Sequence, residues 1–137
     1  MVPFLGPRYA RRTVSDARVL IIDDDSVSAE LTQRRLDRAG IASEICLGAL
    51  GSLKKFAEGD FRVVVLDVDM PGLNGTQLIQ GFWERAESER PQVMLYSNLD
   101  ADALDEAKRR HGAQACLTKK EPKEALIALV RELLGES

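Results

Sequence analysis

The chain has 137 residues, of which 45% are hydrophobic and 30% charged, with a formal net charge of -3. That length favours one domain around one core, and the acidic balance argues against a nucleic-acid binder, which needs a basic overall charge or a basic face. No apolar run reaches the ~18 residues of a membrane span, and the opening MVPFLGPRYARRTVSDA lacks the apolar stretch of a secretory signal. Cys46 and Cys116, without an export signal, point to a reducing, cytoplasmic setting.

Residues 1–17 carry Pro3, Gly6, Pro7 and the arginines Arg8, Arg11 and Arg12 with no helical or strand period. They are expected to form a flexible leader before a folded unit over 18–137. Val19-Leu20-Ile21-Ile22 is a short, unbroken, β-branched run, the mark of a strand buried on both faces, and Asp23-Asp24-Asp25 stops it. Ser26 is placed as the N-cap of a helix over 27–39, with Leu31, Arg35 and Leu36 on one stripe and Gly40 as its stop.

A second strand is expected over 41–47 and a short helix through Leu50, Leu53 and Phe56 to Gly59. Val63-Val64-Val65-Leu66 repeats the continuous apolar pattern and again ends in acid, at Asp67. Met70 to Gly75 is a loop by its Pro and Gly content, followed by a helix over 76–87 holding Leu78, Ile79, Phe82 and Trp83. Residues 92–97 read as a strand; Asp100 caps a helix that ends in Lys108-Arg109-Arg110-His111 before Gly112, cations placed to complement the helix dipole. Residues 114–118 form a last strand, and 124–134 an amphipathic helix with Leu126, Leu129, Val130 and Leu133 at helical spacing.

Strands alternating with helices give an α/β fold with a parallel sheet and right-handed crossovers. For five strands and five helices the expected arrangement is flavodoxin-like and doubly wound, in the order 2-1-3-4-5. Sites in such sheets form beyond the carboxyl ends of the strands, where the order reverses, here between the first and third strands. Asp23, Asp24 and Asp67 therefore meet there, joined by Ser97 and Lys119. Two unit charges ~4 Å apart repel by about 4 kcal/mol at an effective dielectric of roughly 20, so something must neutralise the cluster. A hard divalent cation with oxygen ligands does so, and Mg²⁺ suits a site with few carboxylates and retained waters. Asp25 reads instead as a helix cap or turn former. The sequence offers no Gly-rich phosphate loop and no Ser–His–Asp set. It offers a carboxylate that can act as a nucleophile toward phosphorus, with a lysine, a hydroxyl and a metal to hold phosphoryl oxygens.

VLIIDDD at the first strand, VVVLDVDMPGLNG at the third, Ser97 after MLY, GAQACLTK at the fifth and the terminal amphipathic helix occur in the order of a known family. From Arg18 to Leu134 the chain resembles the response-regulator receiver domain of two-component signalling, the family of the bacterial chemotaxis regulator. The resemblance implies that Asp67 is the phosphoacceptor, and that Asp23, Asp24, Asp67 and the backbone carbonyl of Asp69 hold Mg²⁺, with Asp24 a direct ligand. It implies that Ser97 and Lys119 bond the phosphoryl group. Its expected partners are a sensor histidine kinase or phosphotransfer protein and a downstream protein target. The face built from the 99–111 helix, the fifth strand and the last helix is the family's usual partner and dimer surface, through which a homodimer could form. No nucleic acid and no membrane are expected as partners. The chain is read as a signalling domain that assists its own phosphotransfer and slow dephosphorylation, not as an enzyme, and as a lone or excised receiver without an output domain.

Three positions depart from the family pattern. Lys119 is followed by Lys120, with Pro only at 122, so a trans peptide and an altered loop are expected there. Cys116 stands where the family often has Tyr or Phe, so an aromatic rotamer switch cannot operate at that position. Asp69 and Leu99 occupy positions that tune dephosphorylation, and Leu99 is expected to shield the phosphoryl group without orienting water. Two other readings compete. A pseudo-receiver would use the fold as a phosphorylation-independent binding module; a haloacid-dehalogenase-type phosphatase would use Asp67-Val68-Asp69 as its D-x-D motif, but that class places the motif on its first strand. His111 is read as a surface residue at a helix end. The cysteines are read as small apolar residues on opposite sheet edges, too far apart to pair.

Overall fold

The computed structural model describes residues 16–136. Its sheet has five parallel strands, β1 (Val19–Asp23), β2 (Ser43–Leu47), β3 (Val63–Leu66), β4 (Gln92–Ser97) and β5 (Ala115–Thr118), in the order β2-β1-β3-β4-β5. The helices are α1 (Ser26–Arg38), α2 (Ser52–Ala57), α3 (Gly75–Trp83), α4 (Ala101–His111) and α5 (Lys123–Leu133). This is the flavodoxin-like order expected, and its register sets Ile22 beside Leu66 and Cys46.

The continuous apolar runs are explained by burial on both faces. Leu20, Ile22, Val64, Leu66, Val93 and Leu95 pack with Phe56 of α2, Ile79 and Phe82 of α3 and Leu104 of α4. Their neighbours Val19, Ile21, Val63, Val65, Met94 and Tyr96 point the other way, against Ala29 and Leu36 of α1 and Leu126 and Val130 of α5. The two-residue alternation of a strand thus feeds two separate cores.

The helix ends show where local chemistry decides. Asp25, not Ser26, is the N-cap of α1: its carboxylate accepts from the Val27 and Ser28 N–H groups at 3.0 and 3.2 Å. A carboxylate reaches those unpaired donors and complements the positive helix end. At the other end Gly40 (φ 79°) gives its N–H to Asp37 and Ile41 gives its own to Leu36. That Schellman closure consumes Ile41, which is buried but outside the strand, so β2 begins at Ser43 rather than 41. The buried stripe of α1 is Ala29, Thr32 and Leu36, whereas Leu31 is 42% exposed. Leu50 precedes α2 and is 96% exposed.

α3 stops at Trp83 instead of continuing to 87, and a 3-10 turn follows at Glu87–Glu89. The Trp83 indole donates to the Pro91 carbonyl at 3.1 Å, and the Arg90 guanidinium donates to the Trp83 carbonyl at 3.0 Å. These tertiary bonds fold the chain back where helical propensity alone would extend it. Of the expected leader, residues 1–15 lie outside the described residues; Asp16 is exposed and Ala17 is buried in the core. Cys46 and Cys116 are half-buried free thiols on the two edge strands. Burial raises both thiols above the ordinary cysteine value; Lys55 partly opposes this at Cys46, and Lys108 does so at Cys116, where Asp105 adds to the rise. Among the described residues no helix is long and apolar enough to cross a membrane, and no peptide bond is cis.

Candidate functional site

β1 and β3 are neighbours, and both end in acid at the carboxyl edge of the sheet. Asp23 is the last residue of β1 and is 2% exposed; Asp67 follows β3 and is 8% exposed. The Asp67 N–H donates to the Ile22 carbonyl at 2.9 Å, which continues the ladder past the strand and fixes where its carboxylate stands. On the far side, the Lys119 N–H donates to the Ser97 carbonyl at 2.7 Å, fastening the end of β5 to the end of β4. Four strand ends thereby bring Asp23, Asp67, Ser97 and Lys119 to one edge.

The side chains form a tight set. Each buried carboxylate closes an Asx turn on the backbone two residues on: Asp23 accepts from the Asp25 N–H at 3.0 Å, and Asp67 from the Asp69 N–H at 2.8 Å. That bond holds one oxygen of each group and aims the other at Lys119. The Lys119 ammonium donates to Asp23 Oδ2 and to Asp67 Oδ2, both at 2.9 Å, and to Ser28 Oγ at 2.6 Å. It also lies 5.6 Å from the centre of the Tyr96 ring. Burial pulls its pKa down, but the hydrogen bonds and charges of Asp23 and Asp67 outweigh that and hold it above the ordinary lysine value. Lysine is thus the group that neutralises the paired carboxylates here, the part that the sequence reading gave to a cation from solution.

Other expected residues lie further out. Asp24 and Asp69 are exposed, and neither carboxylate has a hydrogen bond or ion pair among the described residues. Ser97 is fully buried; its hydroxyl accepts from the Leu99 N–H at 3.4 Å and does not reach Asp67 or the Lys119 ammonium. Among the described residues, no three His, Cys, Asp or Glu side chains are gathered closely enough to hold a metal ion. The site therefore brings together two of the three expected carboxylates, with Asp24 at the rim.

The donor set nonetheless suits Mg²⁺ in kind. Asp23 and Asp67 present hard carboxylate oxygens to one point, and Mg²⁺ keeps several waters and needs only one or two carboxylates.

Ser28 was missed by sequence reasoning. The available signal was a hydroxyl on the first turn of the helix that directly follows Asp23. His111 was read as a surface residue; it is half-buried, and its Nδ1 lies 2.8 Å from the Thr76 hydroxyl of α3. Burial first, and the Arg110 charge second, lower its pKa below the ordinary imidazole value. A neutral ring cannot supply the dipole-complementing charge expected of it; Lys108, Arg109 and Arg110 do so instead.

A family model described as the response regulator receiver domain matches residues 19–131. The chain is 34% identical over 117 residues to the transcriptional regulatory protein CseB of Streptomyces coelicolor, covering 85% of this chain and 48% of that protein. It is 32% identical over 120 residues to the sensory/regulatory protein RpfC of Xanthomonas campestris, covering 85% of this chain and 16% of that protein. The chain thus spans about half or less of these relatives. A response-regulator signal receiver domain from Bermanella marisrubri superimposes with a TM-score of 0.74 at 26% identity, covering 85% of this chain and 97% of that one. The chain belongs to the response regulator receiver domain family of two-component signalling.

Proposed function

We propose that the chain accepts a phosphoryl group on Asp67 from a phosphohistidine of a sensor kinase or phosphotransfer protein, and signals through altered partner binding. The observation that carries this reading is the single ammonium held between Asp67 and Asp23 at 2.9 Å from each. An Asp67 oxygen attacks phosphorus; the P–N bond to the donor imidazole breaks, and that ring leaves with the bonding pair and takes up a proton. Lys119 supplies positive charge beside the oxygen that attacks and beside the phosphoryl oxygens that follow. Asp69 N–H fixes the other Asp67 oxygen, so the nucleophile is oriented before the donor arrives.

Asp23, Asp24, Asp67 and the Asp69 carbonyl would hold a Mg²⁺, which when bound neutralises the charge of the phosphoryl oxygens. Ser97, buried at the end of β4 with its hydroxyl accepting from the Leu99 N–H, would turn that hydroxyl toward a phosphoryl oxygen. The face of α4, β5 and α5 is the proposed partner or dimer surface; β5 is an edge strand and every one of its residues is only half-buried. A cytoplasmic location and a signalling rather than enzymatic role complete the reading.

The test is incubation with acetyl phosphate and Mg²⁺, with intact-mass detection of a phosphoryl adduct. The wild type gains one phosphoryl mass and Asp67→Asn gains none. No adduct on the wild type, where another receiver is labelled in parallel, favours a phosphorylation-independent binding module.

A further inference from the structure

An ammonium has three N–H donors and no acceptor. In this site all three of Lys119 are occupied, by Asp23, Asp67 and Ser28. Lys119 thus has no donor left for a phosphoryl oxygen, and one bond must be given up when a donor molecule docks. Two of the three go to carboxylates, and hydrogen bonds charged at both ends are the stronger kind. Ser28 is the neutral partner and the one released at least cost.

The backbone of Ser28 is held fast around its hydroxyl. Its N–H is bonded to the Asp25 cap at 3.2 Å, and its carbonyl accepts from the Thr32 hydroxyl at 3.0 Å. Only the hydroxyl is free to rotate. We propose that Ser28 is a positioning residue whose hydroxyl holds the third N–H of Lys119 in the resting site and yields it to a phosphoryl oxygen as the donor binds. This rests on the reading of Asp67 as phosphoacceptor and adds to it a tie between the site and α1. In the resting state α1 is fastened to the β5–α5 connection through Lys119; when the phosphoryl oxygen takes that N–H, the tie is lost. Docking of the phosphoryl donor then reports to α1 by a route that needs no aromatic residue at position 116.

Removing the hydroxyl leaves one N–H of a Lys119 side chain that is only 11% exposed without its partner. The experiment has two arms, each on wild type, Ser28→Ala and Ser28→Thr. In the first, the unphosphorylated protein is treated with limiting N-hydroxysuccinimidyl acetate, and acetylation of Lys119 is read by peptide mass spectrometry against its exposed neighbour Lys120. Ser28→Ala raises the Lys119-to-Lys120 ratio several-fold, and Ser28→Thr, which keeps the hydroxyl, stays near wild type. In the second, the initial rate of adduct formation is followed against acetyl phosphate concentration with Mg²⁺ present. Ser28→Ala leaves the maximal rate near wild type and lowers the half-saturating concentration by roughly tenfold, the worth of one hydrogen bond to a charged group that no longer has to be given up on binding.

An unchanged Lys119 ratio in Ser28→Ala overturns the proposal. So does a rise shared equally by Ser28→Thr, which assigns the effect to packing. A fall in rate with a matching rise in half-saturation overturns the handover and leaves a general loosening of the site. If the wild type forms no adduct, the phosphoacceptor reading and the handover fall together, while the acetylation arm still decides whether Ser28 holds Lys119.

Discussion

His111 closes the last turn of α4 with its Nδ1 2.8 Å from the Thr76 hydroxyl on the first turn of α3. The contact is close-packed: a methyl group added at Gly75 would sit 3.0 Å from the His111 ring. The pair thus joins two helices at one face of the sheet, and burial of the ring between them, with the Arg110 charge beside it, disfavours its charged form. The folded pKa lies below the ordinary imidazole value of about 6.5, so the unfolded chain takes up a proton first as pH falls. The associated stability is fully present above that value and is lost as pH drops toward the lowered one. Thermal unfolding of wild type between pH 8 and 5 should show this decline, and His111→Gln should flatten it.

Lys119 has the opposite sign. Its folded pKa is raised, so its contribution is complete below the ordinary lysine value of about 10.4 and is lost only as pH rises through the higher one. Lys119→Met leaves Asp23 and Asp67 facing each other without a counter-charge, and should cost about 3 kcal/mol at pH 7, as for other broken buried pairs. Adding Asp67→Asn to that variant removes the repulsion and should recover most of the loss. Denaturant titration of the three proteins measures both effects.

The cap of α1 separates Asp25 from its neighbour. Asp25→Ala should cost about 1 kcal/mol, because two backbone N–H groups lose their acceptor. Ser26→Ala should change stability by less than about 0.5 kcal/mol, the usual range for a surface position. Equal losses at the two positions would return the cap to Ser26.

The lifetime of the phosphoryl group is a further point of test. Leu99 is half-buried and packs on the core beside β4, so it brings no polar atom to orient an attacking water. Leu99→Asn supplies one and should shorten the half-life of the adduct several-fold, read as decay of the phosphoryl mass after the donor is removed. Chelating Mg²⁺ before addition of acetyl phosphate should prevent the adduct from forming at all.

The strands and their order were legible because β1 and β3 are short apolar runs that stop at acid, β4 and β5 end in a hydroxyl, and each strand is separated from the next by a segment with a helical pattern. Asp23, Asp67 and Lys119 followed from the same logic, since a strand end and a crossover fix where a side chain can go. What could not be read was set by contacts between distant parts. The early stop of α3 depends on Pro91 and Arg90 reaching back to Trp83. The role of Ser28 depends on a lysine 91 residues away. Asp24 lies exposed inside the Asx turn that Asp23 closes on the Asp25 N–H, a position that strand periodicity does not encode.

Arg18, just before β1, is ion-paired with Glu136, just after α5. The first and last parts of the packed unit are therefore side by side, at the amino-terminal edge of the sheet. β1 runs its 5 residues from that edge to Asp23, so the two ends stand about a strand's length, roughly 16 Å, from the acidic cluster. Arg18 and Glu136 thus stand at the opposite edge of the sheet from the acidic cluster. The described unit opens and closes on its far edge, and the ion pair that fastens it there leaves the acidic cluster clear.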